Sequence, residues 1–515
     1  MTGLNLFLEK KLIKRTFLLP FLPVIFFFLH NLNLFRELIF TPSVLLLFFI
    51  YSLFSFLIYR FFKLIFILSA AQAAGITVIA IICFLFFGAV QDFLFHFKKY
   101  QFLSKSIFLL FALFVLMASI IFFTRKKQYI FSMFNRFTLL LFLLLIFYEA
   151  GLFCINMTSG KSFAAITKNM RVPVVINNND SGQLRPDIYH IIFDCYTNRP
   201  ALKDYWKYEN EIYPYLDSCG FYTADSSTSN YKTTPFSISS IFNLQYLKGV
   251  DEYLLSNSSN FLVGRKTYQN NILFNFLKQK GYNFSIFSQM DNEEFLTKFG
   301  FLGVEKQVNW LRKQTLERIY LNPWLIEKLT KYFRGNNQQP AIISKSMATF
   351  RDYNKKALEH ILADCEKSSK LGNAPPVFNY THFMLPHDPY QVDENGKLIP
   401  FAKPGGNDMN GYLKQVKYAN KLIIEITQKL LKDNFRKKII IIQGDHGYRH
   451  YTNASENEPY GALNAIYFYD KYYKVLYKKI SLVNTYRVII NNFFAGQLPL
   501  LKDSIVGAMA KEIEN

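Results

Sequence analysis

The distribution of apolar residues divides the chain into two regions of different character. The first region holds five long apolar stretches, near 16–34, 41–59, 65–90, 104–123 and 136–155. Each stretch is long enough to cross a bilayer as a helix, which takes about 20 residues. After position 155 the apolar runs become short and are separated by segments with helical spacing. We therefore predict a five-span transmembrane region over residues 1–155, followed by a globular region.

Short apolar runs after a polar linker (156–185) predict buried strands. They cover residues 187–194, 283–287, 377–384, 438–443 and 465–469. Longer segments with helical periodicity lie between them, such as 353–364 and 413–431. Strands that alternate with helices are typical of a mainly parallel sheet that helices cover on both faces. We therefore predict an α/β domain over 186–515, with ligands bound beyond the carboxyl ends of its strands.

Basic residues set the expected orientation of the first region. Its 14 Lys/Arg and 4 Asp/Glu amount to a net charge of +10, and the other 45 and 33 give the rest of the chain +12. With the N-terminus inside, ten of those 14 basic residues flank inner ends of spans and four flank outer ends. This bias favours the N-terminus inside, and five spans then place the globular domain outside. The chain is thus expected to be a multi-pass protein of the inner (plasma) membrane with an extracytoplasmic domain.

The sequence also disfavours several other classes of protein. No run of Lys and Arg is interleaved with aromatic residues, so we expect no nucleic-acid partner. A basic outer domain beside a bilayer is drawn instead to anionic lipid head groups. The spans carry few charges and no paired interrupted helices, which disfavours a transporter. An acid within the last span, Glu149, is expected to reach the membrane interface.

Two predicted strands end in residues that are suited to bind a metal. The strand 187–194 ends in Asp194, although a strand-terminal Asp is more often a turn former or a helix cap. The strand 438–443 runs into Asp445 and His446, with a glycine on either side that allows a sharp turn. A carboxylate and an imidazole in tandem suit a divalent cation such as Zn²⁺ or Mn²⁺.

Two further segments offer a hydroxyl and a fixed imidazole. In the segment 230–237, Pro235 suits the first turn of a helix and places Thr234 at its N-terminus, where an anion is favoured. A hydroxyl there can act as a nucleophile if a metal lowers its pKa, although an ordinary Thr cap explains the same residues. Later, two prolines bracket His387, where an imidazole can bind a phosphoryl oxygen or protonate a leaving group. His382 is expected to be structural.

In this order, the segments resemble the alkaline-phosphatase/sulfatase superfamily. The resemblance covers about residues 186–502 and rests on PDIYHIIFD, NYKTTPFSISSIFN, LPHDPY, QGDHGYR and VNTYRVIINNFF. Five spans ahead of such a domain look like lipoteichoic-acid synthases and lipid A phosphoethanolamine transferases. The outer domain is also similar to a less characterised group of membrane-bound sulfatase-like proteins.

The resemblance implies a role for each motif residue. The implied metal ligands are Asp194, Asp445, His446 and Thr234. Thr234 would also be the nucleophile, because the Ser three residues later lines up with Ser237, and Thr233 is the alternative. His387 would bind substrate or act on the leaving group, and Arg449 would contact the substrate anion.

Two departures from the family refine the expected chemistry. Cys195 does not belong to a Cys-x-Pro-Ser-Arg segment, so oxidised-cysteine sulfatase chemistry is disfavoured. An obvious Asp-x-x-x-His pair, which supplies a second zinc in alkaline phosphatases, is missing from the sequence. We therefore expect one divalent ion, Mn or Zn, with Mg or Ca as alternatives.

The function that the resemblance implies is transfer of a phospho-group of the phosphoglycerol or phosphoethanolamine type. A membrane lipid or a lipid-linked glycan would take part, an envelope acceptor would receive the group, and the intermediate would be a phospho-threonine. The first alternative is a hydrolase of phosphate or sulfate esters that uses the same site. The second is a non-catalytic envelope protein that binds a glycan.

Overall fold

The computed structural model of the protein divides into two compact units, 1–165 with 300–336 and 166–299 with 337–515. The structure describes residues 16–39, 42–96, 102–124, 127–158, 174, 176, 185–248, 250, 259–291, 308, 311–319, 341–368, 374–399, 408–432, 435–451 and 458–506.

The first unit is built from long apolar helices. A 3₁₀ turn, Thr16–Phe21, leads into α1 (Leu22–Ile39), and the following helices are α2 (Pro42–Ile65), α3 (Ala70–Leu85), α4 (Phe87–His96), α5 (Ser106–Thr124) and α6 (Gln128–Thr158). By length and composition, four stretches are suited to cross a membrane, and the pair α3 and α4 would make a fifth if it forms one span. A region of four to five apolar helices thus precedes the globular domain.

The stretch 65–90, predicted as one continuous span, is bent at Phe86. The axes of α3 and α4 differ by 53° there. The segment 311–319 packs against this bend within the same unit, and a Cβ added at Gly88 would lie 2.4 Å from the carbonyl oxygen of Lys313. Arg318 donates to the Gly88 carbonyl at 2.8 Å and to Asp92 at 2.7 Å. The apolar run continues through Phe86 as far as Val90, so the apolar pattern alone did not reveal this bend.

Glu149, which was predicted to reach the membrane interface, has a side chain that is buried within the first unit. His30 Nδ1 lies 2.7 Å from one carboxylate oxygen, and the Asn33 amide donates to the other at 2.6 Å. These partners come from α1, more than 100 positions earlier in the chain. They satisfy a polar group whose burial would otherwise be costly.

The second unit contains a six-stranded sheet. Its strands are β1 (Asp187–Phe193), β2 (Tyr222–Thr223), β3 (Asn283–Phe287), β4 (Val377–Phe383), β5 (Lys438–Gly444) and β6 (Asn464–Phe468). Their order is β2-β6-β5-β1-β4-β3. The four strands β5, β1, β4 and β3 are parallel, and the β5–β6 and β6–β2 pairs are antiparallel. The predicted α/β class with a mainly parallel sheet is confirmed.

Helices surround this sheet. They are α7 (Arg199–Trp206), α8 (Ile212–Ser218), α9 (Thr234–Asn243), α10 (Ser259–Gln269), α11 (Ile272–Gln279), α12 (Ala341–Ser368), α13 (Met409–Lys432) and α14 (Thr485–Phe493). One apolar cluster packs residues of α9, α11 and α14 against the sheet, and another packs residues of α8, α12 and α13. Alternating residues of β1 contribute to the two clusters, Ile188 and Ile192 to the first and Tyr189, Ile191 and Phe193 to the second. The sheet is therefore buried on both faces, as its continuous apolar strands predict.

The central strands end in register at one edge of the sheet. Phe193, the last residue of β1, pairs with Phe383 of β4 on one side and with Gly444 of β5 on the other. The residues that follow these strands therefore leave the sheet side by side. This edge is where the sequence placed Asp194 and Asp445.

Candidate active site

The carboxylates of Asp194 and Asp445 meet beyond the ends of β1 and β5. Two backbone N–H groups hold Asp445, because those of Cys195 and His446 donate to its Oδ1 at 3.0 and 2.9 Å. Cys195 has a φ of +66°, a left-handed conformation that non-glycine residues rarely adopt. The turn after β1 is thus bent sharply toward the turn after β5.

Gly444 and Gly447 allow close backbone approach rather than a left-handed turn. A Cβ on Gly444 would lie 2.3 Å from the carbonyl oxygen of Tyr196, and one on Gly447 equally close to that of Gly461. Neither glycine has a positive φ. The glycines on either side of Asp445 and His446 therefore let neighbouring loops pack directly on the site.

Thr234 is the first residue of α9 and lies beside both acidic and imidazole groups. Its Oγ1 donates to Asp194 Oδ2 at 3.4 Å and lies 3.5 Å from His446 Nε2. Pro235 occupies the first turn of the helix, as predicted. Ser237 Oγ donates to the Asp445 carbonyl at 2.5 Å, which ties this turn to the end of β5. The structure thus brings Asp194, Thr234, Asp445 and His446 into one buried cluster.

The alternative hydroxyl, Thr233, is placed differently. Thr233 is the N-cap residue of α9, but its side chain makes no capping hydrogen bond. Its buried Oγ1 has no hydrogen-bond partner in the described part of the chain. Of these two hydroxyls, the one that hydrogen-bonds to Asp194 is that of Thr234. The geometry therefore favours Thr234 as the candidate nucleophile.

Two residues outside the sequence motifs complete the cluster. His382, expected to be structural, projects from β4 with its Nε2 3.4 Å from Asp194 Oδ2, and its Nδ1 lies 3.0 Å from the hydroxyl of Tyr380. Gln289, in the turn after β3, donates to the same oxygen of Asp194 at 3.2 Å. Strand alternation alone did not distinguish His382 from a core residue. Gln289 had no motif that could have identified it.

The electrostatics of the cluster favour a charged Asp194 and a neutral His446. Burial acts to raise the pKa of Asp194, but the nearby His387, His382 and His446 outweigh it and leave the pKa below its ordinary value. Burial lowers the pKa of His446, and the opposing effect of Asp445 does not cancel it. His446 Nδ1 lies 2.9 Å from the Gly447 carbonyl, which can only accept, so Nδ1 carries the proton and Nε2 presents its lone pair.

Several buried atoms of the cluster have no hydrogen-bond partner among the described residues. They are Asp194 Oδ1, Asp445 Oδ2 and His382 Nε2. Leaving such groups unpaired is costly in a dry interior, which points to a missing positive partner. In the part of the chain that the structure describes, two groups of side chains could hold a metal ion, namely Asp194 with His382 and Asp445, and Asp194 with Cys195 and His446. Carboxylate oxygens and a neutral imidazole fit a divalent cation.

His387 and Arg449 form a separate pair near the cluster. The guanidinium of Arg449 donates to His387 Nε2 at 2.6 Å, so His387 Nδ1 carries the proton and faces the carbonyl of Asp388. Burial acts to lower the pKa of Arg449, but acidic neighbours that include Asp194 and Asp445 outweigh it and raise the pKa. Arg449 therefore stays cationic and within electrostatic reach of both carboxylates.

The model of a family described as sulfatase matches residues 206–483. A search of the curated proteins finds no match.

Solved structures that resemble this chain include the C-terminal periplasmic domain of EcEptC from Escherichia coli, with 15% identity over 66% of this chain and 92% of that chain and a TM-score of 0.38. The soluble domain of lipooligosaccharide phosphoethanolamine transferase A from Neisseria meningitidis is 15% identical over 62% and 90%, with a TM-score of 0.36. BT1596, a 2-O GAG sulfatase, is 11% identical over 62% and 73%, with a TM-score of 0.37. At such low identities and TM-scores, the family assignment rests on the family model alone.

Proposed function

Because the chain belongs to the sulfatase family, and so to a family of enzymes, we propose that it transfers a phospho-group from a membrane lipid to an envelope acceptor. The group is of the phosphoglycerol or phosphoethanolamine type, and Thr234 carries it between donor and acceptor. One observation above all supports this proposal. The buried Thr234 Oγ1 lies 3.4 Å from Asp194 Oδ2 and 3.5 Å from His446 Nε2. Asp194 Oδ1 and Asp445 Oδ2, in the same cluster, have no hydrogen-bond partner among the described residues.

One divalent ion, Mn or Zn, would be held by Asp194, Asp445 and His446, with Thr234 as a further ligand. Such a cation, when bound, favours the alkoxide form of a hydroxyl beside it and offsets the charge of the phospho-group. The chain's own groups orient the nucleophile. The Thr234 hydroxyl directs its proton at Asp194, which leaves an oxygen lone pair for phosphorus. The N-terminus of α9 adds a partial positive charge that favours an anion.

The reaction takes place in two displacements at phosphorus. Thr234 Oγ forms a bond to phosphorus and loses its proton, the bond from phosphorus to the lipid oxygen breaks, and that oxygen gains a proton. An acceptor hydroxyl then attacks the same phosphorus and gives up its proton as the bond to Oγ breaks, and Oγ is protonated again. Arg449, which donates to His387 Nε2 at 2.6 Å, would bind the phospho-oxygens together with His387. No redox partner is needed.

The apolar helices of the first unit support a lipid as donor. A chain anchored by such helices in the inner membrane, with its α/β domain outside, keeps the site close to lipid head groups. Confinement of both reactants to one surface raises their effective concentration, as a tether does. Basic residues of the domain would strengthen its attraction to anionic lipids.

The decisive experiment compares hydroxyl variants in the full chain, reconstituted in nanodiscs that contain phosphatidylglycerol or phosphatidylethanolamine. We expect Thr234→Ala to lower turnover at least about a thousandfold and to abolish a covalent adduct on residue 234 seen by peptide mass spectrometry. Thr234→Ser should keep measurable turnover and the adduct. The matched control is Thr233→Ala, which should retain both. Turnover of Thr234→Ala at the level of the control would refute the proposal.

Hydrolysis is the second candidate, and the sulfatase family model is the observation that favours it. A hydrolase would use the same cluster but pass the group to water, or act on a sulfate ester. Product analysis with and without an added alcohol separates the two. A transferase yields a phosphodiester of the alcohol, whereas a hydrolase yields the same free ester in both cases. Cleavage of an aryl sulfate with no cleavage of an aryl phosphodiester would assign the site to sulfate.

A further inference from the structure

Gln289 contacts the candidate metal site from outside the sequence motifs. Its side-chain amide donates to Asp194 Oδ2 at 3.2 Å, and the residue is only 4% exposed. A hydrogen bond to a charged carboxylate is stronger than one between neutral groups, and burial protects it from competition by water. This contact is therefore strong enough to influence the orientation of the carboxylate.

The turn after β3 holds Gln289 in place. β3 lies next to β4 in the sheet and is parallel to it, so this turn leaves the sheet at the same edge as the ends of β4 and β1. Ser288 Oγ accepts from the Met290 N–H at 3.0 Å, and Arg265 donates to the Met290 carbonyl at 2.6 Å. The backbone on both sides of Gln289 is thus fixed, and the amide reaches Asp194 from a rigid support.

The two oxygens of Asp194 have different surroundings. Oδ2 accepts from Gln289 and, at 3.4 Å, from the Thr234 hydroxyl. His382 Nε2 also lies 3.4 Å from Oδ2 but makes no hydrogen bond with it. Oδ1 has no hydrogen-bond partner among the described residues. One oxygen is thus held by the protein, and the other is left open to a cation.

The open oxygen lies beside the other proposed metal ligands. His446 Nε2, which offers a lone pair, is 3.7 Å from Asp194 Oδ1. The same nitrogen is 3.5 Å from Asp445 Oδ2 and from Thr234 Oγ1. Ligand atoms about 2.0–2.2 Å from a tetrahedral zinc ion lie roughly 3.3–3.6 Å apart, which is close to this spacing. Rotation of the Asp194 carboxylate about its Cβ–Cγ bond would turn Oδ1 away from these atoms, and the hydrogen bond from Gln289 to Oδ2 opposes that rotation.

Thr234 cannot hold the carboxylate throughout the proposed reaction. While its oxygen is bonded to phosphorus, it carries no hydrogen and cannot donate to Asp194. In the described part of the chain, Gln289 is then the remaining donor to Oδ2. The orientation of Asp194 between the two displacements therefore depends on Gln289.

We propose that Gln289 is a positioning residue of the metal site, which fixes Asp194 Oδ2 and thereby keeps Oδ1 directed at the cation. This role rests on the proposed metal-dependent function and acts on the metal through Asp194. Hydrogen-bond partners of metal ligands orient those ligands, and their loss typically weakens metal binding about 10- to 100-fold. Loss of the Gln289 amide should therefore be visible in the affinity for one divalent ion.

Metal binding by the full chain in phosphatidylcholine nanodiscs tests this role without catalysis. Competition with a fluorescent chelator gives the Kd for Mn²⁺ and for Zn²⁺, and Asp194→Ala shows the binding that remains without the site. Gln289→Leu and Gln289→Met both remove the donor, and methionine also keeps the length of the side chain. We expect each to raise the Kd of the more tightly bound ion at least about tenfold. Gln391→Leu changes a similarly buried glutamine, 5% exposed, that lies outside the cluster, and it should leave the Kd unchanged.

Two comparisons separate positioning from stability and from catalysis. Thermal unfolding in EDTA shows whether each variant is folded, and a purely structural role would lower that temperature without changing the Kd. In a Thr234→Ala background, which lacks the nucleophile, Gln289→Leu should still raise the Kd at least about tenfold, so failure of the proposed catalysis would leave this result standing. Two results would overturn the proposed role. One is a Kd within about threefold of wild type for both Gln289 variants while Asp194→Ala loses the metal. The other is a wild-type chain that binds neither ion better than Asp194→Ala.

Discussion

Replacement of Asp445 by Asn separates the two roles of this residue in the candidate metal site. The amide keeps an oxygen at Oδ1, which accepts from the N–H groups of Cys195 and His446 at 3.0 and 2.9 Å. The amide also replaces Oδ2, a buried oxygen with no hydrogen-bond partner among the described residues, by an NH₂ group. His446 Nε2 lies 3.5 Å from that position and offers a lone pair. Without metal, Asp445→Asn therefore removes an acceptor that lacks a donor and adds a donor that can be satisfied.

The magnitude follows from the burial of these groups. Removal of one unsatisfied buried acceptor should stabilise the metal-free protein by about 1–3 kcal/mol. For a domain of this size that corresponds to a rise of roughly 2–6 °C in the unfolding temperature in EDTA. The metal-dependent gain should be lost, which for wild type amounts to about 2.7 kcal/mol at a hundredfold excess over Kd.

Thermal unfolding of the full chain, in EDTA and across a series of Mn²⁺ and Zn²⁺ concentrations, measures both effects. The metal content of purified protein provides an independent check. Two results would refute the reasoning. One is an Asp445→Asn variant that unfolds at a lower temperature than wild type in EDTA. The other is a variant that keeps the wild-type metal-dependent rise.

Two further predictions concern Gly444 and His190, which lie in strands β5 and β1 that end at the candidate site. Gly444→Ala should lower stability by about 1–3 kcal/mol and turnover with it, because the new Cβ would lie 2.3 Å from the Tyr196 carbonyl. Gly151→Ala adds a Cβ inside helix α6 that would meet no neighbouring side chain or chain segment within 4 Å, so it should lower neither the unfolding temperature nor turnover. Burial lowers the pKa of His190 from 6.5 to about 3, so its contribution to stability is full above pH 6.5 and is lost as the pH falls from there toward about 3. The unfolding temperature of His190→Gln should therefore fall less than that of wild type between pH 7 and pH 5, and an equal fall would contradict this assignment.

Periodicity and apolar runs predicted most of the sheet because burial on both faces leaves a strong local signal. The five predicted strands agree with β1, β3, β4, β5 and β6 to within one residue at each end. β2 was missed because Tyr222 and Thr223 are too few to show alternation. The bend at Phe86 was missed because the run of apolar residues continues through it to Val90.

The residues of the candidate site could likewise be predicted from the sequence only in part. Asp194, Asp445 and His446 stand at the ends of predicted strands, and parallel strands bring their carboxyl ends together, so their convergence could be predicted. His382 could not be assigned in this way, because it lies within β4 and joins the cluster only through the pairing of Ile192 with His382 across β1 and β4. Register between strands almost 200 positions apart is a tertiary property that no local pattern encodes.

Two kinds of unfavourable feature meet at this edge of the sheet. Cys195 adopts a left-handed conformation, and Asp194 Oδ1 and Asp445 Oδ2 are buried without partners among the described residues. Strain of this kind costs about 1–3 kcal/mol and persists only where surrounding structure enforces it. The N–H of Cys195 is held by Asp445, so the strained turn and the unpaired carboxylate depend on one another. A cation between the carboxylates would stabilise both at once, whereas a purely structural role for these residues would leave both costs without compensation. The coincidence of strain, unpaired charge and an adjacent hydroxyl thus favours a catalytic metal site over a structural carboxylate cluster.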